Sequence, residues 1–247
     1  MEIRKQRAER DNLQRIVSGT WFGSSLRQEE QAEVLGLWRS ARHDPANSLI
    51  DVTGGVRLIT SGWAGWLRYA DDGRRLIFLF LMPGDFIVPG LFEPGCCDLV
   101  TLSPLRSVDA STLHGNAKTA GPQPATIIAN SERYYRMLLI DQMTRLTRGC
   151  TTRSLASLLM EFHARAVRAG TSDEGRFSLP IGQRVLGRAL GRSTVQINKV
   201  ITQFQVSGLV KVGYDWVEIL QPAELRTLAG LAHSVDRPAH LSVAIAR

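Results

Sequence analysis

The stretch LPIGQRVLGRALGRSTVQINKVITQF, residues 179–204, leaves this chain few ways to fold. It holds two short helical periods with one glycine between them. Val185, Leu186, Ala189 and Leu190 form the apolar side of a first helix over about 182–190. Gly191 then supplies the tight turn that a helix-turn-helix unit needs. Ser193 is a good N-cap, and Gln196 three positions on completes a capping box. The second helix runs to about Val206, and Gly208 stops it. Leu209–Val212 and Trp216–Leu220 follow as two short strands around Gly213-Tyr214-Asp215. That order is the layout of a winged helix-turn-helix.

At about 100° per residue, Ile197, Val200, Ile201 and Phe204 share one side of the second helix. Val195, Lys199 and Thr202 point the other way, flanked by Asn198, Gln196 and Gln203. In a DNA-binding unit of this kind the start of the second helix enters the major groove. Thr194, Val195, Gln196, Asn198 and Lys199 are therefore the candidate base readers. Lys can reach guanine O6 and N7, Asn and Gln can pair with adenine, and Val can pack on a thymine methyl. Arg184, Arg188, Arg192 and Ser193 are the candidate phosphate contacts, which position without specifying. Helix pairs of this shape also occur in proteins that never touch DNA. There Gln196 is only a cap and Val195 only a rim residue. Charge favours a polyanion. Residues 1–129 carry 14 Lys/Arg against 14 Asp/Glu, whereas residues 130–247 carry 16 against 9. An excess confined to the half that holds the helix pair suits nucleic acid.

The N-terminal half reads differently. Residues 3–17 form a short helix or a charged tail, and residues 25–38 a helix with acids in its first turn. From about Ser48, VRLITSGWAGWLRYADDGRRLIFLFLMPGDF reads as short strands broken by turns. Asp72-Gly73 is a hairpin signal and Pro83-Gly84-Asp85 a second turn. Leu76–Leu81 is apolar on both faces and predicts a central strand. Short strands at this spacing predict a jelly roll. After a break at 116–124, Ala125–Gly149 has no internal Gly or Pro. Ile128, Tyr135, Leu139, Gln142 and Leu146 form its stripe, a candidate dimerisation face. Packing within its own chain is the alternative. Residues 152–168 predict another amphipathic helix, with Leu155, Leu158, Leu159 and Phe162 inward.

Several function classes find no support. The charged N-terminus predicts no signal peptide, and no apolar run is long enough to span a bilayer. The expectation is a cytoplasmic protein with no membrane partner. Three cysteines without CxxC spacing indicate neither a disulfide framework nor a zinc site. Cys96-Cys97 is read as a pair of loop residues, with a redox role as the alternative. A cupin-type enzyme would need several His and a carboxylate converging on a metal, but the five histidines are scattered. No catalytic residue, metal ligand or cofactor is assigned. An effector-independent DNA-binding or partner-binding module stays open beside a regulator.

The chain resembles the catabolite-activator and fumarate-nitrate-regulator (Crp/Fnr) group of bacterial transcription factors. LPIGQRVLGRALGRSTVQINKVI is similar to the group's winged helix, and SGWAGWLRYADDGRRLIFLFLMPGDF to its sensor β-roll. The resemblance spans roughly residues 20–230. It implies an α+β protein: a sensor domain over 1–124 with a cyclic-nucleotide-binding-like β-roll, a dimerisation helix over 125–149, a winged helix-turn-helix over 150–230, and a tail over 231–247. It also implies a homodimer on palindromic promoter DNA, with RNA polymerase as a further partner and a small-molecule effector of unknown identity. Val195 and Lys199 stand where the best-known members carry Glu and Arg, so the usual half-site does not transfer. The cyclic-nucleotide members carry Gly-Glu and, further on, Arg-Ser/Thr-Ala. Here GDFIVPGLFEPGCCDLVTLSPLRS has neither, so cyclic AMP is not the expected ligand. Residues 1–95 hold no cysteine for an iron–sulfur cluster. His114 and Cys97, residue types that can ligate haem, are read as loop residues.

Overall fold

The computed structural model describes residues 2–20, 31–32, 35–37, 41–110 and 124–230. The helix expected over 25–38 lies largely outside the described residues, and so do His114 and the tail 231–247.

In chain order the elements are α1 (Glu2–Gly19), β1 (Arg42–Asp44), β2 (Arg57–Ser61), β3 (Ala64–Tyr69), β4 (Arg75–Leu81), β5 (Phe86–Ile87), β6 (Asp98–Thr101) and β7 (Leu105–Asp109). The helices α2 (Pro124–Thr147) and α3 (Thr151–Arg168) follow, then β8 (Arg176–Ser178), α4 (Gln183–Leu190) and α5 (Thr194–Val206). The chain continues through β9 (Val210–Val212) and β10 (Trp216–Ile219) into α6 (Pro222–Ala229). Two compact units result. One comprises Met1–Trp66, Phe80–Arg133 and Arg168–Thr171; the other comprises Leu67–Leu79, Tyr134–Val167 and Ser172–Arg247.

The N-terminal half is built on short strands, antiparallel where β1, β7, β2 and β5 pair. One sheet runs β1-β7-β2-β5 and another β4-β3-β6. Strands this short and apolar need two packed sheets to bury both faces. Leu58, Ile59, Trp63, Leu81, Phe86 and Val108 are almost fully buried, and Trp63 meets Phe80 edge-on with centroids 6.1 Å apart. Leu76, at the start of the expected central strand, is instead exposed, while Ile77 and Leu79 to Leu81 are buried. Asp85 secures its own turn, its carboxylate accepting from the Met82 amide at 2.7 Å. The N-terminal segment is a full helix: Leu13, Ile16 and Val17 are buried, and Asn12 donates to the Thr60 carbonyl at 2.7 Å.

In the second unit β8, β10 and β9 make a three-stranded antiparallel sheet. The wing therefore has one strand more than the two expected. β8 is only three residues long and lies far upstream of its partner, so no local hairpin signal marks it. The helix α6 is a further element beyond those expected.

The turn before β3 tests the first unit. Gly62 has φ +79°, and a Cβ there would run into the Pro104 carbonyl. Gly73 has φ +77°, and among the described residues no neighbour lies within 4 Å of such a Cβ. Gly62→Ala should cost about 2–4 kcal/mol in chemical denaturation followed by tryptophan fluorescence. Gly73→Ala should cost about 1 kcal/mol, from backbone strain alone.

Candidate nucleic-acid interface

Ser193 has extended backbone, and its Oγ accepts from the Gln196 amide at 3.2 Å. The Gln196 Oε1 in turn accepts from the Ser193 amide at 3.0 Å. The expected capping box is therefore formed, and it starts α5 at a fixed residue. Ile197, Val200, Ile201 and Phe204 are buried, as their helical spacing requires. The C-cap is Ser207, and Gly208 follows it at φ +66°.

Two glycines set how α4 meets α5. Gly191 takes the left-handed conformation (φ 62°, ψ 34°), and its amide donates to the Gly187 carbonyl. Gly187 is buried inside α4, where a Cβ would lie 2.6 Å from the Arg192 carbonyl oxygen. Any side chain there would push the turn off the helix. Sequence reasoning finds Gly191 and misses Gly187. An isolated glycine inside a helical pattern is the signal that could have found it.

All five candidate base readers are exposed, with Val195 at 78%. They are not equally free. The Gln196 carbonyl oxygen is engaged in the capping box, and the Asn198 Nδ2 donates to the Gln183 Oε1 at 3.0 Å. Thr194, Val195 and Lys199 make up the rest of the outer face. Among the phosphate candidates, Arg184 is exposed and Arg188 half-buried. Arg192 is half-buried and donates through Nη2 to the Arg148 carbonyl at 2.8 Å, so that guanidinium braces the end of α2. Tyr214, at the turn between β9 and β10, is wholly exposed. Behind it Trp216 is covered by the Arg176 guanidinium, 3.7 Å from a ring centroid. Gly213 leaves room for that indole, since a Cβ there would strike it.

The candidate dimer residues divide. Tyr135 and Gln142 are buried by the chain itself, Ile128 and Leu139 are half-buried, and Leu146 is exposed. A different stripe faces outward on α2: Ala129, Arg133, Arg136, Ile140, Met143 and Thr147. Their alternating spacing of four and three is that of a coiled-coil seam. Ile140 and Met143 are 58% and 57% exposed.

Inside the unit, Glu161 sits between two arginines. Its Oε2 is 2.6 Å from the Arg145 Nη2, and its Oε1 accepts from the Arg165 Nη1 at 2.8 Å. Burial pushes its carboxyl up, but the two guanidiniums more than reverse this, leaving it below its ordinary value of 4.5. Helical periodicity alone marks Arg145 and Arg165 as surface residues, so the triad is invisible in the sequence.

Residues 153–228 match the Crp-like helix-turn-helix domain family. Over 220 residues the chain is 24% identical to the transcriptional activatory protein AadR of Rhodopseudomonas palustris, covering 86% of this chain and 90% of AadR. Among solved structures, FixK2 from Bradyrhizobium japonicum aligns with a TM-score of 0.61 at 21% identity, covering 78% of this chain and 98% of its own. TTHA1359, a CRP/FNR-family transcriptional regulator from Thermus thermophilus, aligns with a TM-score of 0.55 at 16% identity, over 77% and 98% of the two chains. A β-roll joined to a winged helix with a polar outer face on α5 defines a DNA-binding transcriptional regulator. Its helix-turn-helix domain is Crp-like.

The cap and the buried triad can each be tested by substitution. Ser193→Ala should lower stability by about 1 kcal/mol in chemical denaturation. Glu161, whose folded pKa is depressed, contributes stability above its unfolded pKa and loses it as pH falls through the lower folded value. Glu161→Gln should therefore flatten the acid limb of Tm against pH below about 4.5, relative to wild type.

Proposed function

We propose that the protein is a cytoplasmic homodimer that binds an inverted-repeat promoter site, each chain placing the start of α5 in a major groove. The observation that carries this is the outer face of α5: Thr194, Val195 and Lys199 exposed around a formed N-terminal cap, over a fully buried inner side. Lys199 would donate to guanine, and Val195 would contact a thymine methyl. Asn198 and Gln196 would contribute through the polar atoms their internal bonds leave free. Arg184 and Arg188 would meet phosphates, with Ser193 close by at the start of α5. The outward stripe of α2, centred on Ile140 and Met143, would pair two chains. No helix among the described residues is long and apolar enough to cross a membrane, and we assign no membrane partner and no catalytic activity.

The β-roll is read as an effector-type domain whose ligand is not cyclic AMP. The support is chemical: the segment 84–107 lacks the Gly-Glu and Arg-Ser/Thr-Ala that pair a cyclic phosphodiester. RNA polymerase is a further partner on this reading. AadR is named as an activatory protein, and activation is the regulatory sense we propose.

Selection from a randomised duplex library, followed by fluorescence anisotropy at several salt concentrations, tests the reading. The expected product is an inverted repeat whose affinity falls steeply with salt. A flat salt response with no enriched site would overturn it. Lys199→Ala should relax preference at one base pair of each half-site, a change of about 1–3 kcal/mol in discrimination. Arg188→Ala should instead weaken all sequences alike and reduce the magnitude of the logarithmic salt slope by about 1 per site. Ile140→Glu should shift the solution mass toward the monomer in light scattering.

A further inference from the structure

The end of α2 is tied to the winged helix at three separate points. Gln142 donates through Nε2 to the Ala189 carbonyl at 2.6 Å, with both groups buried. Arg192, in the turn between α4 and α5, donates to the Arg148 carbonyl at 2.8 Å. Arg148, just past α2, donates through Nη1 to the Ala229 carbonyl at the end of α6 at 2.7 Å. Ala189 lies in the last turn of α4, where carbonyls have no amide one helical turn ahead to serve them. Four residues on, the Ser193 amide is already bound to Gln196. The first helix of the reading unit is thus capped by a side chain of the central helix.

Gln142 is itself held in one orientation. Its Oε1 accepts from the Arg145 Nη1 at 3.2 Å. Arg145 is fixed by Ser157, to which its Nε donates at 3.1 Å, and by Glu161 at 2.6 Å. Arg165 holds the other oxygen of Glu161. Flipping the Gln142 amide would set oxygen against oxygen at Ala189 and nitrogen against guanidinium at Arg145. The triad holds two guanidiniums and one carboxylate. Buried ion groups of this kind are commonly no more stabilising than apolar residues of the same volume. What the triad supplies is geometry, since it holds the Gln142 amide in one orientation.

We infer that Gln142, oriented by Arg145 and Glu161, is a positioning residue that sets the spacing of half-sites the protein accepts. Attachments at the end of α4, at the following turn and at the end of α6 fix the winged helix as a rigid extension of α2. Adding a base pair between half-sites both translates and rotates the second site around the duplex axis. A rigid pair of reading units resists that displacement, whereas a pair freed at Ala189 follows it. The inference rests on the homodimer reading above.

The test uses the full-length protein and three kinds of duplex. These carry the selected inverted repeat, the same repeat with one or two base pairs inserted or removed at its centre, and a single half-site. Wild type should lose at least about tenfold in affinity on the altered spacings. Gln142→Met keeps the volume but cannot donate to Ala189 or accept from Arg145. Its half-site affinity should stay within about twofold of wild type, while its spacing discrimination falls to about threefold. Glu161→Gln should shift discrimination the same way by a smaller factor. If Gln142→Met discriminates spacing as wild type does, the inference is wrong. It is equally wrong if the affinity of that variant drops by one common factor on every duplex, because a merely structural role would do that. A wild type indifferent to spacing would overturn the homodimer reading and this inference together, and only that result involves the former.

Discussion

How closely α4 and α5 approach governs what the DNA-binding half can present. The Arg192 carbonyl oxygen occupies the place where any side chain at position 187 would start, and Gly191 turns the chain through a left-handed conformation. With those two residues the turn folds back tightly onto α4, and the Ile197 side chain of α5 packs against position 187. Ile197, Val200, Ile201 and Phe204 then go fully inward, each contributing about 1.5–3 kcal/mol of burial. The inner side being committed, Thr194, Val195 and Lys199 have nowhere to face but outward. An exposed Val beside a Lys has little use on a solvated helix; on the proposed reading it faces a major groove.

That same packing divides the polar side chains into two kinds. Some maintain the unit itself. Gln196 closes the cap, Gln183 takes one hydrogen of Asn198, and Arg192 reaches back to the end of α2. Others are left to meet a partner. Sorting residues by chemistry alone puts Arg192 with the phosphate contacts, because an Arg in a turn before a recognition helix suits that role. The structure commits that guanidinium to the Arg148 carbonyl. A similar shift occurs on α2. Tyr135 and Gln142, which belong to the stripe expected to face a second chain, are buried by their own chain, and Ile140 and Met143 stand outward.

What is legible in the sequence is what depends on neighbours in the chain. The Ser193/Gln196 box, the Gly191 turn, the inner residues of α5 and the inward face of α3 all follow from spacing within one helix or turn. So do the bounds of α4 and α5, to within a residue. What escapes depends on partners far away. The strand β8 pairs with β10 some forty residues on. The Arg145–Glu161–Arg165 triad joins α2 to α3, and Gln142 meets Ala189 across 47 positions. Hydrophobic periodicity assigns a charged or amide side chain to the outside and has no means of knowing that a counter-charge waits there. For the same reason it does not tell the covered residues of α2 from the uncovered ones. Apolar residues occur around most of that helix, and only its contacts decide which of them remain uncovered.

Methylation interference on the duplex selected by the protein tests the central claim most directly. Dimethyl sulfate marks guanine N7 in the major groove and adenine N3 in the minor groove. With α5 as the reader, interference should fall on guanines in two major-groove segments about one helical turn apart on one face of the duplex, and Lys199→Ala should remove it at one guanine in each. Interference confined to minor-groove adenines, or guanine signals unchanged by Lys199→Ala, would contradict the assignment of this helix as the base-reading surface.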